Sequence, residues 1–461
     1  MFEAKPDATE SLRLRQLDAV RSGLREHVDR LAWSAERLEQ ERRDRLRELV
    51  KTAIEKSPWH RARLRGVDPT TFEAPDLATL PTMTKSDLVR HFDRIVTDER
   101  LTAARVKAHI DGLVSRPEYL FDNYVVVVSS GSSGAECSVP YAWDAWVSCY
   151  LGAIRSLTRQ LGGAPVSAAV IAAGSPEHTS RALFQTFSDP ATLALHPFPA
   201  TAPLDEIIAG LNAVQPDVLM AYPSALAEIV QQASSGPLRI KPRIVITASE
   251  PLLPNTRIAV ERAFGVSIQN WWFSSEAGPM AIGCGQGSSL HLSEDLLIVE
   301  PVDEHNQPAP VGAPSAKVLV TNLYNHALPL IRYEITDEVT LLAEPCRCGS
   351  AHRLIADPHG RMSDTFIYGE IRIHPSVFRA VLEAHPTIYQ YQVRQTANGA
   401  DLVVQGTADT ERIAHEVAES LASHGLASPD VSVVCAGNIA RLQTGRIQRF
   451  IPLTSRADDP K

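Results

Sequence analysis

A hydroxyl-rich, glycine-flanked segment follows an apolar run in the first third of the chain. Residues 124–128 read YVVVV, and the next six are Ser129, Ser130, Gly131, Ser132, Ser133 and Gly134. Such a segment exposes hydroxyl and backbone N–H donors, and its glycines let the backbone approach an anion closely. The pattern favours a phosphate-binding loop. The Walker pattern is not met, because Ala135 stands where that pattern has lysine, and a flexible loop at a sheet edge is the alternative interpretation.

Three cysteines and one histidine have the spacing of metal ligands. Cys346 and Cys348 lie in PCRCG, and Cys284 and His291 lie in GCGQGSSLH. Three thiolates and one imidazole make a closed tetrahedral zinc set, which predicts a structural Zn²⁺ that joins two separate loops. Reduced, unliganded cysteines with a surface histidine are the alternative.

Composition excludes several classes of protein. The chain has 461 residues, 44% of them hydrophobic and 21% charged, with a formal net charge of −9. This favours a soluble protein of two or three domains, and it disfavours nucleic acid or an anionic membrane as the main partner. The sequence has no apolar run of about eighteen residues and no signal-like N-terminus, so a cytoplasmic location is expected.

The order of the elements predicts an α/β fold. Residues 8–56 have helical periodicity, within a helical region at about 8–95. Strand-like runs then alternate with helical segments up to about residue 300, which is typical of a parallel sheet whose strand ends meet in one crevice. YVVVV is predicted to be a fully buried strand of such a sheet. Residues 296–343 are predicted to form a barrel-like β subdomain, which the predicted zinc would join to the main sheet.

Two domains are predicted. Residues 1–360 would form the large domain, and residues 361–461 a small, mobile α+β domain joined by a hinge. The polar stretches that end the strand-like runs would gather at one edge of the large sheet.

The ordered motifs resemble the superfamily of adenylate-forming enzymes, which includes acyl-CoA synthetases, luciferases and peptide-synthetase adenylation domains. SPWHRARL at 57–64, LPTMTKSDL at 80–88 and TGRIQRF at 444–450 place it nearest the phenylacetate-CoA ligase type. The resemblance implies an ATP-dependent ligase that forms an acyl-adenylate and releases pyrophosphate. It also implies Mg²⁺, and relatives of this type carry a similar Cys, His and Cys-x-Cys arrangement.

The resemblance implies roles for residues at each motif. Ser129 to Gly134 would hold the β and γ phosphates, and the turn formed by Ser249, Glu250 and Pro251 would lie along the adenine. In the motif Trp272, Phe273, Ser274, Ser275 and Glu276, Glu276 would hold Mg²⁺ and Ser275 would touch the phosphate. Asp337 would accept bonds from both ribose hydroxyls, Arg361 would lie near the ribose and phosphate, and Ser363 would stand at the hinge.

The chemistry implied is the attack of a carboxylate on the α-phosphate of ATP. Both reactants are anions, so the site must neutralise charge and align the attack. Arg446 would act at this step when the small domain closes. The aromatic residues favour a flat aromatic acid, in a pocket predicted to include Tyr141, Trp143, Tyr222, Ala248 and Trp271.

The chain departs from the family pattern at four positions. The lysine after the phosphate loop is missing, Phe273 replaces a glycine, and Arg446 replaces the C-terminal lysine. Arginine presents a planar fork instead of a compact ammonium, so this exchange is not neutral. Glu370 aligns with a glycine that lets pantetheine pass, and a bulky anion there would hinder CoA.

The acceptor therefore remains open between CoA, an amine that would give an amide, and a carrier. An unusual acid such as nitrite, activated for diazotisation of an aryl amine, is a further alternative. A catalytically inactive nucleotide-binding or carrier-docking protein is the second hypothesis, and a purely structural zinc protein the third. The sequence is compatible with a homodimer.

Overall fold

The computed structural model describes residues 8–116, 118–129, 136–163, 165–358 and 360–453. The N-terminal part is helical, as predicted, and Ser34, Ser57, Thr84 and Thr102 accept the capping N–H bond at the start of four helices. Short 3-10 helices at Arg30–Ala32 and Ala74–Thr79 separate them. The α-helices are α1 (Ala8–Asp29), α2 (Ala35–Lys56), α3 (Pro58–Arg63), α4 (Lys85–Ile95) and α5 (Ala103–Asp111).

The four valines form a strand, but not one of a parallel sheet. β1 (Tyr124–Ser129) pairs antiparallel with β2 (Cys137–Ala142) in a separate two-stranded sheet. All six residues of β1 are buried, because α5 and the two helices that follow β2 and β3 pack against this ribbon. The prediction of a parallel strand relied on the burial of both faces of the strand. Here helices bury both faces of an antiparallel pair, so the prediction is wrong.

The main sheet has nine strands in the order β13-β14-β9-β8-β7-β6-β5-β3-β4, of which β4, β3, β5, β6 and β7 run parallel. The predicted α/β class is confirmed. Its first elements are α6 (Trp143–Leu161), β3 (Val166–Ala172), α7 (Thr179–Phe187), β4 (Leu193–Pro199), α8 (Leu204–Val214), β5 (Val218–Ala221), α9 (Pro223–Ser235), β6 (Ile244–Ala248), α10 (Pro254–Phe264) and β7 (Ile268–Ser274). The antiparallel extension contains β8 (Gly278–Gly283), β9 (Leu290–Leu292), β13 (Leu341–Leu342) and β14 (Leu354–Ile355).

The predicted β subdomain is smaller than a barrel. β10 (Leu297–Val302), β11 (Lys317–Asn322) and β12 (Tyr333–Ile335) form a three-stranded antiparallel sheet. The strands β13 and β14 that follow it join the large sheet instead, because β14 pairs with β9.

The C-terminal region has a hydrophobic core of its own, which includes Phe366, Phe378, Tyr391 and Phe450. Its sheet has the strand order β19-β18-β17-β20. After a 3-10 helix at Met362–Asp364 come β15 (Phe366–Tyr368), β16 (Ile371–Ile373), α11 (Pro375–Leu382), β17 (Ile388–Thr396), β18 (Gly399–Gly406), α12 (Thr410–Ser423), β19 (Asp430–Cys435) and β20 (Phe450–Ile451). Within the described part of the chain, every helix is too short or too polar to cross a membrane.

Candidate active site

Two adjoining cavities lie where the ends of several strands meet the C-terminal segment 442–450. The apolar cavity, of about 320 Å³, extends between α6, α7 and strands β3 to β5. The C-terminal cavity, of about 610 Å³, is closed on one side by residues of segment 442–450. The residues common to both are Val128, His178, Ser249, Trp271, Phe273, Asp337, Arg361, Thr444 and Arg446.

Ser129 ends β1 and lines the apolar cavity. Its hydroxyl accepts a hydrogen bond from Lys85 Nζ at 3.0 Å. The other predicted members of the phosphate loop, Ser130, Gly131, Ser132, Ser133 and Gly134, lie outside the described residues. Sequence reasoning missed Lys85, which begins α4 in the LPTMTKSDL motif and brings an ammonium to Ser129. The signal was present in that motif, but the contact spans 44 residues.

Glu276 lies beside Ser129, with one thiol between them. Cys137 Sγ is 3.0 Å from Ser129 Oγ and 3.6 Å from Glu276 Oε1. Burial raises the pKa of Cys137 to about 12, so the thiol is neutral. The Tyr333 hydroxyl donates to Glu276 Oε1 at 3.4 Å, and burial next to Glu276 raises the pKa of Tyr333. The two side chains that donate to Glu276 Oε1 are therefore neutral, which suits a carboxylate that binds a cation.

The hydroxyls of the two serines before Glu276 form hydrogen bonds with other groups of the protein. Ser275 Oγ accepts from the Thr179 hydroxyl at 2.8 Å and donates to the Val128 carbonyl at 3.4 Å. Ser274 Oγ accepts from the Ala277 N–H at 2.9 Å. Both serines line the apolar cavity, together with Phe273.

Tyr141 is not a pocket residue, which corrects the prediction. Its side chain is fully buried, and its hydroxyl donates to the Ser275 carbonyl at 2.7 Å. This hydrogen bond therefore supports the backbone of the motif that contains Glu276. Trp143 begins α6 and is also absent from the residues that line the two cavities.

Asp337 is fixed by two side chains. Trp272 Nε1 donates to Asp337 Oδ2 at 2.7 Å, and Arg361 Nε donates to Oδ1 at 2.7 Å. The charge of Asp337 raises the pKa of Arg361. Each carboxylate oxygen has a second lone pair, so the fixed aspartate still has acceptor capacity for two hydroxyls. The motif residues Trp272, Asp337 and Arg361, predicted separately, form one connected group.

The turn after β6 has a strained backbone at Ser249, and the carboxylate of Glu250 in the same turn already accepts hydrogen bonds from the protein. Ser249 adopts φ +72°, a conformation that is uncommon for a residue with a Cβ and is often found at functional sites. Ser249, Glu250 and Pro251 all line the C-terminal cavity. The Glu250 side chain accepts hydrogen bonds from Ser224 and from the Ile447 N–H, so its carboxylate joins α9 to segment 442–450.

Arg446 lines both cavities from the C-terminal side. Its Nε donates to Thr444 Oγ1 at 3.4 Å, and burial lowers the pKa of its guanidinium, which stays charged because the ordinary value is so high. His178 lies opposite in the same two cavities, and burial lowers the pKa of its imidazole. Arg446 therefore adds positive charge at a point that Arg361 also lines.

The apolar cavity contains three of the five predicted pocket residues, Tyr222, Ala248 and Trp271. Sequence reasoning missed the contribution of α6, α7 and strands β3 to β5. These elements supply uncharged lining side chains throughout the described part of the cavity, chiefly Tyr150, Ile154, Leu157, Val170, Leu183, Phe184, Leu195, Val218 and Met220. The polar groups of the site thus adjoin a long apolar wall.

The four predicted zinc ligands converge. Cys284 follows β8, His291 lies in β9, and Cys346 and Cys348 lie between β13 and β14. Their ligand atoms all lie within 4.8 Å of one another, with Cys284 Sγ 3.6 Å from Cys346 Sγ and Cys348 Sγ 3.3 Å from His291 Nε2.

The hydrogen-bond partner of His291 also suits a metal site. His291 Nδ1 lies 3.2 Å from the His352 carbonyl, which would fix the ring with Nε2 toward a metal. The donor set and its compactness fit tetrahedral Zn²⁺. The cluster joins the edge strands of the large sheet, whereas the prediction had it join the β subdomain to that sheet.

The hairpin that contains the predicted CoA gate has a glycine one position earlier than expected. Gly369, between β15 and β16, has φ +62°, a conformation that favours glycine. Glu370 follows it with an exposed side chain. The glycine required by this turn is therefore present, although the aligned position itself is a glutamate.

Sequence comparisons confirm the predicted resemblance to the phenylacetate-CoA ligase type. No family model matches the chain. It is 26% identical over 400 residues to a phenylacetate-coenzyme A ligase of Thermus thermophilus, covering 83% of this chain and 82% of the relative. It is 24% identical to the Escherichia coli phenylacetate-coenzyme A ligase, covering 88% of this chain and 93% of the relative. The enzyme class of these relatives agrees with the predicted one.

Solved structures share the fold. A 2-hydroxyisobutyryl-CoA ligase in the postadenylation state, in complex with an acyl-AMP, has a TM-score of 0.73 at 18% identity, covering 93% of this chain and 91% of that chain. The same ligase in the thioesterification state has a TM-score of 0.59, covering 92% and 91%. ATP-bound MatB from Rhodopseudomonas palustris has a TM-score of 0.52 at 18% identity, covering 70% and 66%.

Proposed function

We propose that this chain is an ATP- and Mg²⁺-dependent ligase that converts a hydrophobic carboxylic acid into its acyl-adenylate, releases pyrophosphate and transfers the acyl group to CoA. One observation carries the proposal. Ser129 with Lys85, Glu276, Asp337 with Arg361, and Arg446 come from distant parts of the chain and line one pair of connected cavities. That set of groups suits the charged parts of a nucleotide next to an apolar guest.

Positive charge is supplied by Lys85 on the Ser129 side and by Arg446 on the C-terminal side of the cavities. These cations would offset the repulsion between a carboxylate and the α-phosphate that it attacks. Asp337, oriented by Trp272 and Arg361, would accept the two ribose hydroxyls. The turn at Ser249–Pro251 would lie along the adenine. No nucleophile of the protein is needed, because the substrate carboxylate is the attacking group.

Glu276 would hold the Mg²⁺, with Ser275 next to the phosphate. When bound, the metal neutralises phosphate charge and helps to align the displacement. The residues themselves already fit this role, because the described neighbours that contact Glu276 Oε1, Cys137 and Tyr333, are neutral hydrogen-bond donors. They orient the carboxylate without cancelling its charge.

The acid would have a bulky apolar body. The wall formed by α6, α7 and strands β3 to β5 supplies aliphatic and aromatic side chains such as Ile154, Phe184 and Met220, without a charged group among the described ones. A second charge on the acid, remote from its carboxylate, would lose its hydration without compensation. An aryl acid is the first choice, since Trp271 and Phe273 line the same cavity.

CoA is the proposed acceptor because the relatives are named as CoA ligases. Gly369 keeps a glycine in the hairpin at the proposed gate, which removes part of the objection raised by Glu370. Transfer to an amine, or activation of nitrite, would be expected if CoA gives no thioester. The cluster of Cys284, His291, Cys346 and Cys348 is proposed to hold a structural zinc, since a fourth protein ligand leaves no open position.

The test is pyrophosphate release from ATP and Mg²⁺ with a panel of aryl, aliphatic and dicarboxylic acids, followed by thioester detection with CoA. Release with hydrophobic monoacids and little release with dicarboxylic acids is the expected result. Glu276→Gln removes the carboxylate that is proposed to hold Mg²⁺ and keeps the size of the side chain. This variant should fold but should lose pyrophosphate release. Nucleotide binding by calorimetry without pyrophosphate release from any acid would instead support the non-catalytic nucleotide-binding protein.

A further inference from the structure

Arg441 connects the C-terminal region to helix α9 of the large domain. Its Nη1 donates to Ser224 Oγ at 2.9 Å and to the Gly445 carbonyl at 2.7 Å, and its Nη2 donates to Glu228 Oε1 at 2.6 Å. The side chains of Arg441 and Glu228 are 19% and 27% exposed, so this ion pair is largely shielded from solvent. One guanidinium therefore joins α9 to the residue that precedes Arg446.

Glu250 makes the complementary connection from the large domain. Its carboxylate accepts from the Ser224 N–H at 2.9 Å, from the Ser224 hydroxyl at 3.1 Å and from the Ile447 N–H at 2.7 Å. Glu250 is 7% exposed. It therefore fixes the residue that follows Arg446.

The two connections share Ser224, whose hydroxyl accepts from Arg441 and donates to Glu250. The backbone on both sides of Arg446 is thus hydrogen-bonded to one network that crosses the domain boundary. Gly445 fits tightly as well, because a Cβ built there would lie 2.6 Å from the Ala200 side chain. The position of Arg446 depends on contacts made by its neighbours.

We infer that Ser224, Glu228, Glu250 and Arg441 form a clasp, a hydrogen-bonded network that positions Arg446 for the adenylate-forming step. The inference rests on the proposed function. Arg441 and Glu228 are positioning residues, since neither is among the residues that line the two cavities described above. Loss of the clasp would leave nucleotide binding by the large domain intact and would misplace the cation that aligns the attack.

The expected signature is a split between kinetic constants. A misplacement of about 1 Å in a catalytic group can reduce a rate by about 100-fold. Arg441→Met and Glu228→Gln are therefore expected to lower kcat for pyrophosphate release by about 10- to 100-fold, with KM for ATP changed less than about threefold. The double variant should lose little more than Arg441→Met, because both changes break one interaction. Arg441→Lys should recover part of the rate, since it retains the charge toward Glu228.

A second measurement does not depend on activity. Hydrogen–deuterium exchange of the peptide that contains Ile447 should become about tenfold faster in Arg441→Met and in Glu228→Gln, because the bond to Glu250 opens more often. Arg412→Met is the matched control. Arg412 forms an exposed ion pair with Glu416 on α12 of the same domain, and its loss should leave both readouts unchanged.

The outcomes separate the clasp from the proposed function. Unchanged exchange at Ile447 in both variants would overturn the clasp, whatever the activity. A larger KM for ATP with unchanged kcat would also overturn it, because the network would then serve nucleotide binding. If the unmodified protein releases no pyrophosphate with any acid, the proposed function fails, and the exchange data alone decide whether the clasp exists.

Discussion

Lys85 Nζ lies 3.0 Å from Ser129 Oγ, although 44 residues separate them. Lys85 begins α4, where the capping hydroxyl of Thr84 accepts from the Asp87 N–H and fixes the start of the helix. The ammonium is thereby held at the end of β1, where the hydroxyl-rich segment begins. The sequence has no lysine directly after this segment, and Lys85 places an ammonium at its first residue, Ser129.

Replacement of Lys85 by an uncharged residue should weaken the binding and alignment of the ATP phosphates. Lys85→Met is expected to lower kcat/KM for ATP in pyrophosphate release by about 10- to 100-fold, because one charged donor to the phosphates is lost. Lys51→Met, on an exposed position of α2, is the control and should behave like the unmodified protein. Equal kinetics for both variants would show that Lys85 supports only the local structure.

Arg446 offers a direct test of whether the site is adapted or decayed. Its half-buried side chain lines both cavities, and lysine presents a single compact charge instead of a planar fork. For an adapted enzyme we expect Arg446→Lys to lower kcat about tenfold and Arg446→Met to lower it further. The measurement is pyrophosphate release at saturating ATP. A large gain of activity in Arg446→Lys would support a decayed enzyme instead.

The cysteine cluster predicts metal content. The purified protein should contain zinc at about one ion per chain, and Cys348→Ser should lose it, because a closed four-ligand site needs every ligand. The melting temperature should fall by several degrees, since metal binding contributes to folding free energy. Elemental analysis and differential scanning calorimetry give the two readouts.

Cys435→Ser is the control for the zinc experiment, because Cys435 is exposed and lies outside the cluster. It should retain both the metal and the melting temperature. Full zinc content in Cys348→Ser would exclude this residue as a ligand.

Asp364 should make stability depend on pH. Burial is the main cause that raises its pKa from 3.8 to about 6, and neighbouring Asp337 and Glu338 add to the effect. The folded state therefore binds more protons than the unfolded state between these values, so this carboxyl lowers stability as pH rises through that window. Asp364→Asn removes the charge and should raise the free energy of unfolding at pH 7 by about 1 to 3 kcal/mol.

The advantage of Asp364→Asn over the unmodified protein should shrink as pH falls from 6 toward 4, because the native carboxyl then becomes protonated as well. Thermal unfolding at a series of pH values measures this trend. Asp430→Asn changes an exposed aspartate of the same domain and should show no such advantage. An advantage of Asp364→Asn that stays constant with pH would contradict the assignment.

The sequence by itself determined which chemical groups the protein contains and most of its elements. The spacing of Cys346 and Cys348, with Cys284 and His291, predicted a cluster that is present in the structure. Asp337 and Arg361, placed by motif, are hydrogen-bonded to each other. Local spacing and periodicity contain this information, because a residue's type and its position in a helix or strand depend on near neighbours.

Only the tertiary structure decided which distant groups meet. The valine strand pairs antiparallel although it is fully buried, the Tyr141 hydroxyl donates to the Ser275 carbonyl instead of lining the pocket, and Glu250 accepts from the N–H of Ile447, which is 197 residues away in the chain. Such contacts depend on how whole elements pack against each other. Apolar burial, which drives this packing, is not directional, so the sequence pattern leaves the partners open until the core is assembled.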